Sequence, residues 1–102
     1  MSSITIGVKI LPGLSEFFDV KEAKSIVLEE KIEEGATVGD IIRKLATKYQ
    51  TFGTAIFDAK TQKMSGYVTI VLNDRLIESL NGLDTFVKDG DVIKLFPVIA
   101  GG

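Results

Sequence analysis

Apolar and polar positions alternate from the start of the chain. Ile4, Ile6, Val8 and Ile10 fall on one side of Thr5, Gly7 and Lys9, the period of two expected of a strand with one buried face. The segment Leu11-Pro12-Gly13-Leu14 interrupts it, because proline and glycine together punctuate turns. A polar connection from Ser15 to Lys24 follows, and its Phe17 and Phe18 are expected to cover an edge of the core. Alternation resumes from Ser25 to Ile32, with Ile26, Leu28 and Ile32 opposite Val27, Glu29 and Lys31. This predicts a second strand, antiparallel to the first.

The period then changes to that of a helix. Val38, Ile41, Ile42, Leu45, Ala46 and Tyr49 form one apolar stripe, and Thr37 with Asp40 three residues on is an acidic variant of the capping box. Arg43, Lys44 and Lys48 lie on the opposite side and read as a solvated face. From Thr51 to Gly66 the pattern weakens. Phe52, Ile56 and Phe57 fit one short helical turn, and the polar run Asp58 to Ser65 reads as a surface insertion. Tyr67 to Leu72 is a strand, with Val68, Ile70 and Leu72 on one side and Tyr67, Thr69 and Val71 on the other. Asn73-Asp74 is turn chemistry leading to a brief strand at Arg75 to Glu78, and Asn81-Gly82 marks another turn. Lys88-Asp89-Gly90-Asp91 is a tight turn, since Gly90 accepts a positive φ. The last strand starts beyond it, with Ile93 and Leu95 on one side and Val92, Lys94, Phe96 and Val98 on the other. Lys94 is costly to bury. Phe96 therefore either faces water beside it or packs beneath Phe17 and Phe18, and alternation alone leaves both open.

The order strand, strand, helix, strand, short strand, strand predicts an α+β fold. It is a mixed sheet of about five strands with one main helix laid across it, a ubiquitin-like β-grasp, and the first and last strands occupy the centre. Residues 1–97 would form the domain and residues 98–102 a flexible diglycine tail. At 102 residues and 45% hydrophobic the chain can bury one small core. It has no cysteine and no histidine. That excludes thiol nucleophiles, disulfide frameworks, the usual zinc sites and the commonest general base. A net charge of −2 is too slight to imply a nucleic-acid or membrane partner. With no apolar run of signal or membrane-spanning type, a cytoplasmic location is expected. Glu29, Glu30, Glu33 and Glu34 cluster, but alternation and turns are expected to send them to solvent. Gly35-Ala36-Thr37 lacks the Lys-Ser or Lys-Thr pair of a phosphate-binding loop. Catalysis by the chain alone is the least expected class, and no metal site is expected.

The remaining signal is the stretch Leu95-Phe96-Pro97-Val98-Ile99-Ala100-Gly101-Gly102. Two glycines remove every Cβ and leave a thread that can enter a narrow slit. Pro97 fixes its own φ near about −65° and removes a donor, so it stiffens the exit from the sheet. Asp89-Gly90-Asp91, the strand to Phe96-Pro97 and the final diglycine together resemble the signature of the MoaD/ThiS family of ubiquitin-like sulfur carriers. Val71-Leu72-Asn73 and Gly82-Leu83-Asp84-Thr85 are similar to the longer archaeal and actinobacterial members. The resemblance covers most of the chain, and its specificity lies in the conjunction, since a diglycine alone is weak.

That resemblance implies a protein that serves as substrate, a sulfur carrier that donates in cofactor or cysteine biosynthesis. Gly102, with Gly101 beside it, would be the reacting site. A partner adenylyltransferase related to ubiquitin-activating enzymes would use ATP and magnesium to adenylate its carboxylate, and sulfur would then replace the adenylate to give a thiocarboxylate. Phe96, Pro97, Val98, Ile99 and Ala100 would seat the carrier on that enzyme and on a sulfur-acceptor synthase or large subunit, in the manner of a molybdopterin synthase small subunit. The chain itself would hold no cofactor. Two other readings stay open. One is a covalent modifier joined to lysines through Gly102, and the other a β-grasp interaction module whose diglycine is incidental.

Overall fold

The computed structural model describes residues 2–18, 24–56 and 68–97. These run as β1 (Ser3–Ile10), a 3-10 turn (Ser15–Phe18), β2 (Ile26–Glu33), α1 (Val38–Lys48), α2 (Gln50–Ile56), β3 (Val68–Leu72), β4 (Arg75–Leu76), 3-10 turns at Ile77–Ser79 and Gly82–Asp84, and β5 (Val92–Pro97). The sheet order is β2-β1-β5-β3-β4. β1 pairs antiparallel with β2 and parallel with β5, while β3 is antiparallel to both β5 and β4. This is the mixed sheet of a β-grasp, with the first and last strands adjacent at its middle. A parallel pair needs a long crossover, and the helices supply part of it. Phe57, Tyr67 and the polar run of residues 58–65 lie outside the described residues.

Register explains which residues form the core. Ile4, Ile6, Val8 and Ile10 of β1 lie level with Ile32, Glu30, Leu28 and Ile26 of β2, and Val8 and Ile10 with Ile93 and Leu95 of β5. Against this face α1 buries Val38, Ile41, Ile42 and Leu45, and α2 buries Phe52 and Ile56. The Phe18 ring packs tilted against Phe52 and Tyr49, with centroids 4.4 Å and 5.0 Å away, so the 3-10 turn closes the core where the two helices meet. Burying side chains of this size contributes about 1.5–3 kcal/mol each.

The capping box forms as the sequence predicts. Asp40 N donates to Thr37 Oγ1 at 3.2 Å, and Thr37 N donates to Asp40 Oδ2 at 2.9 Å. The Thr37 backbone N–H holds the Asp40 carboxyl below the ordinary carboxylate range against an opposing desolvation effect, with the Thr37 hydroxyl and Arg43 adding in the lowering direction.

Three expectations change. The helical signal after residue 50 is a seven-residue helix rather than one turn. The brief strand is confined to Arg75–Leu76, after which the chain turns as a 3-10 helix. Glu30 does not reach solvent. It shares the inward phase of β2 with Leu28 and Ile32, is 3% exposed, and accepts from Lys48 Nζ at 3.3 Å. The basic face of α1 is accordingly partnered in part. Lys48 neutralises a buried carboxylate, and Lys44 Nζ donates to the Lys31 carbonyl on β2. A buried carboxylate is tolerated only with such a partner. No helix among the described residues is long and apolar enough to cross a membrane.

Two outcomes follow. A Cβ on Gly53 would stand 2.6 Å from the Ala46 carbonyl oxygen of α1, so Gly53→Ala should destabilise the fold by about 1–3 kcal/mol in urea unfolding, although alanine is the better helix former. Asp40 has a depressed folded-state pKa, so its contribution is complete at neutral pH and lost as pH falls through that pKa. Asp40→Asn should therefore flatten the acid limb of stability between about pH 5 and 2 in the same measurement.

Candidate functional site

The sequence places its candidate chemistry at the end of β5, so the surroundings of that strand define the site. Its start is fixed by the Asp-Gly-Asp turn. Asp89 Oδ1 accepts from Thr5 N at 2.8 Å, and Asp91 Oδ2 accepts from Lys88 N at 2.8 Å. Asn73 and Asp74 form the turn between β3 and β4, both with positive φ, which hairpin turns of this tightness require. Asn73 also clasps β5: its Nδ2 donates to Asp91 Oδ1 at 2.9 Å and its Oδ1 accepts from Val92 N at 3.0 Å. These side chains take up backbone donors at the strand's start and set its register.

Alternation along β5 then decides the two faces. Ile93 and Leu95 are fully buried under the helices. Phe96 stands opposite Thr69 of β3, on the face away from them, and is half-buried. Of the two places open to Phe96, the structure selects this outer face, in the phase opposite Ile93 and Leu95, while Phe18 packs on Tyr49 and Phe52. Lys94 shares the outer face and donates to Asp74 Oδ1 at 3.0 Å.

Across all five strands one outward row reads Val27, Lys9, Lys94, Val71, Leu76. Val92 and Phe96 lie on the same face, on either side of Lys94 along β5. Val27 is 69% exposed and Leu76 50%. On the β5-β3-β4 side Val92, Phe96, Val71 and Leu76 surround Lys94, beside the strand that leads to residues 98–102, whereas on the β2 side Val27 stands next to Lys9 and the charged Glu29 and Lys31. Single exposed apolar residues are ordinary, whereas a contiguous set on one face marks an interaction surface.

Of the sequence-predicted site residues, Phe96 and Pro97 are thus brought to the edge of one surface. Val98, Ile99, Ala100, Gly101 and Gly102 lie outside the described residues. The sequence reading missed Val27, Val71, Leu76 and Val92 as members of the site. Their signal was available, since Val27, Val71 and Val92 are aliphatic residues in the phase that alternation assigns to solvent. Among the described residues no cluster of His, Cys, Asp or Glu could hold a metal ion.

Comparison with known proteins identifies the family and the fold. The model of the ThiS family matches residues 17–102. Small archaeal modifier protein 3 of Haloferax volcanii is 34% identical over 87 residues, which cover 84% of this chain and 89% of that protein. Sulfur carrier protein CysO of Mycobacterium tuberculosis is 32% identical over 69 residues, which cover 67% of this chain and 74% of that protein. The solution structure of small archaeal modifier protein 1 from Methanosarcina acetivorans superimposes with a TM-score of 0.76 at 26% identity, covering 100% of both chains.

The two faces of β5 should respond differently to truncation. Leu95→Ala empties a core position and should cost about 2–5 kcal/mol in urea unfolding, whereas Phe96→Ala should cost less than about 1.5 kcal/mol.

Proposed function

The chain belongs to the ThiS family of ubiquitin-like sulfur carriers, and from that premise we propose that it carries sulfur as a thiocarboxylate on Gly102. A carboxylate is a poor electrophile because its oxygen is a poor leaving group. In the proposed cycle a Gly102 carboxylate oxygen attacks the α-phosphorus of ATP, supplied with magnesium by a partner adenylyltransferase, and pyrophosphate leaves. The terminal sulfur of a persulfide then attacks the carbonyl carbon and expels AMP. A thiol reduces the resulting S–S bond and frees the thiocarboxylate. The chain contributes the electrophilic end and the docking surface. The partner contributes the catalysis, and the charged carrier then delivers sulfur to an acceptor synthase.

The observation that carries this reading is the junction at Phe96-Pro97. The central strand of the sheet ends there, beside the exposed apolar side chains of Val71, Leu76 and Val92, and is followed in sequence by Val98-Ile99-Ala100-Gly101-Gly102. Those side chains suit a partner with an apolar surface and a carboxylate opposite Lys9, since complementary charge sets register and speeds encounter, while Lys94 is already paired with Asp74. A chain without cysteine fits a carrier that holds sulfur at its end.

A second reading is favoured by the relative named as a modifier, which is 34% identical to this chain. There a lysine amine, in place of the persulfide, would attack the same adenylate and form an isopeptide bond.

Incubation with the host's adenylating enzyme, ATP, magnesium and a persulfide donor should raise the intact mass by the difference between sulfur and oxygen, confined to the C-terminal peptide. Removal of Gly101 and Gly102 should abolish the gain without moving the unfolding midpoint. High-mass conjugates carrying diglycine remnants on lysines, with no such gain, would establish the modifier instead. No change of either kind would leave the β-grasp interaction module.

A further inference from the structure

We propose that Gly13, in the turn after β1, is a positioning residue for the C-terminal tail. It acts through Pro97 to set the direction in which the chain leaves the sheet. The inference rests on the reading of Gly102 as the reacting end.

Gly13 has φ of +102°, a conformation that side-chain-bearing residues rarely adopt. A Cβ placed on it would lie 3.1 Å from Pro97 Cγ and 3.4 Å from Pro97 Cβ. Both are carbons of a closed ring. Neither can swing away as the end of a long side chain could, so the proline ring occupies the space that a Cβ on residue 13 would need.

The turn that carries Gly13 is itself fixed. Leu11 N donates to the Leu95 carbonyl at 3.1 Å, which ties the turn directly to β5. Leu14 N donates to the Leu11 carbonyl at 3.1 Å, and Phe17 N to the Leu14 carbonyl at 3.0 Å. Leu14 and Phe18 anchor this segment in the core at 3% and 4% exposure. Pro97 is also held from β3, where Val68 is its register partner. The last described residue of the sheet therefore has its own φ fixed, its predecessor restricted to extended conformations, and its ring set against a rigid turn.

Direction matters because of reach. Five residues follow Pro97, and fully extended they span at most about 17 Å. A change of about 15° at the base, within the scatter of ordinary backbone dihedrals, would move the far end of an extended chain by roughly 4 Å. Placement of a reacting group needs to be good to about 1 Å. A base that points one way spares the activating enzyme part of the cost of ordering the tail. Losing it should weaken productive binding by about fivefold, with little effect once the tail is seated.

The test uses the full-length chain in four forms: unaltered, Gly13→Ala, Pro97→Ala and the double variant. Activation by the host's adenylating enzyme with ATP, magnesium and a persulfide donor is followed by mass. Each single variant should raise KM for the carrier about fivefold with kcat held. The double variant should be no worse than the more affected single one, because both act at one contact. Unchanged KM in both single variants, or multiplying effects in the double variant, would overturn the inference. Pro97→Ala keeps the test open should Gly13→Ala unfold. A second readout needs no enzyme: residual dipolar couplings of the residue 98 amide should change in each variant. Altered couplings without any activation of the unaltered chain would remove the carrier reading and leave the positioning of the exit intact. Unaltered couplings would overturn the positioning itself.

Discussion

Gly7 to Ile10 of β1 lie parallel beside Val92 to Leu95 of β5, and this pairing joins segments separated by most of the chain. Closing so long a loop costs entropy before any contact compensates it, so the pairing stands only because both strands are buried on their inner face. Val8, Ile10, Ile93 and Leu95 together provide that burial at the centre of the sheet. With the pair in place, β2 and β3 add to its flanks. The helices cover one face, the other face stays open, and the end of β5 is left beside the turn that follows β1.

The same constraint explains why so many polar side chains gather at the start of β5. Parallel strands cannot be joined by a hairpin, so the strand has to be placed by its own turn and by neighbours. Asp89 reaches to Thr5 on β1, and Asn73 reaches from the β3–β4 turn. Each replaces a backbone partner that a hairpin would have supplied. The Asp-Gly-Asp turn thereby has a structural reason of its own, independent of any role of residues 98–102.

Features that depend on neighbours in sequence were legible from the chain alone. Thr37 and Asp40 cap a helix through contacts three residues apart, and the alternation of β1 and β3 follows from one buried face. What the sequence left unreadable depends on partners distant in the chain. Glu30 sits in the inward phase of β2, yet its charge argued for solvent. The balance turns on Lys48, a residue on another element that alternation says nothing about. The helix over Gln50–Ile56 contains Gly53 and two threonines, poor local signals, and it exists because Phe52 and Ile56 have a core to enter. Phe96 could be placed only once the register with Thr69 was known. The Gly13–Pro97 approach has no local signature at all.

The arrangement of the two central strands also has a mechanical meaning. β1 begins near the amino end of the sequence, β5 finishes near the other end, and they run side by side in the same direction. Tension applied between the two ends would slide one strand along the other, loading their interstrand hydrogen bonds together rather than one after another. A protein hauled by its C-terminal segment thus transmits the pull directly into the best-buried part of its sheet, and resistance to forced extraction is built into the same strand that leads to that segment.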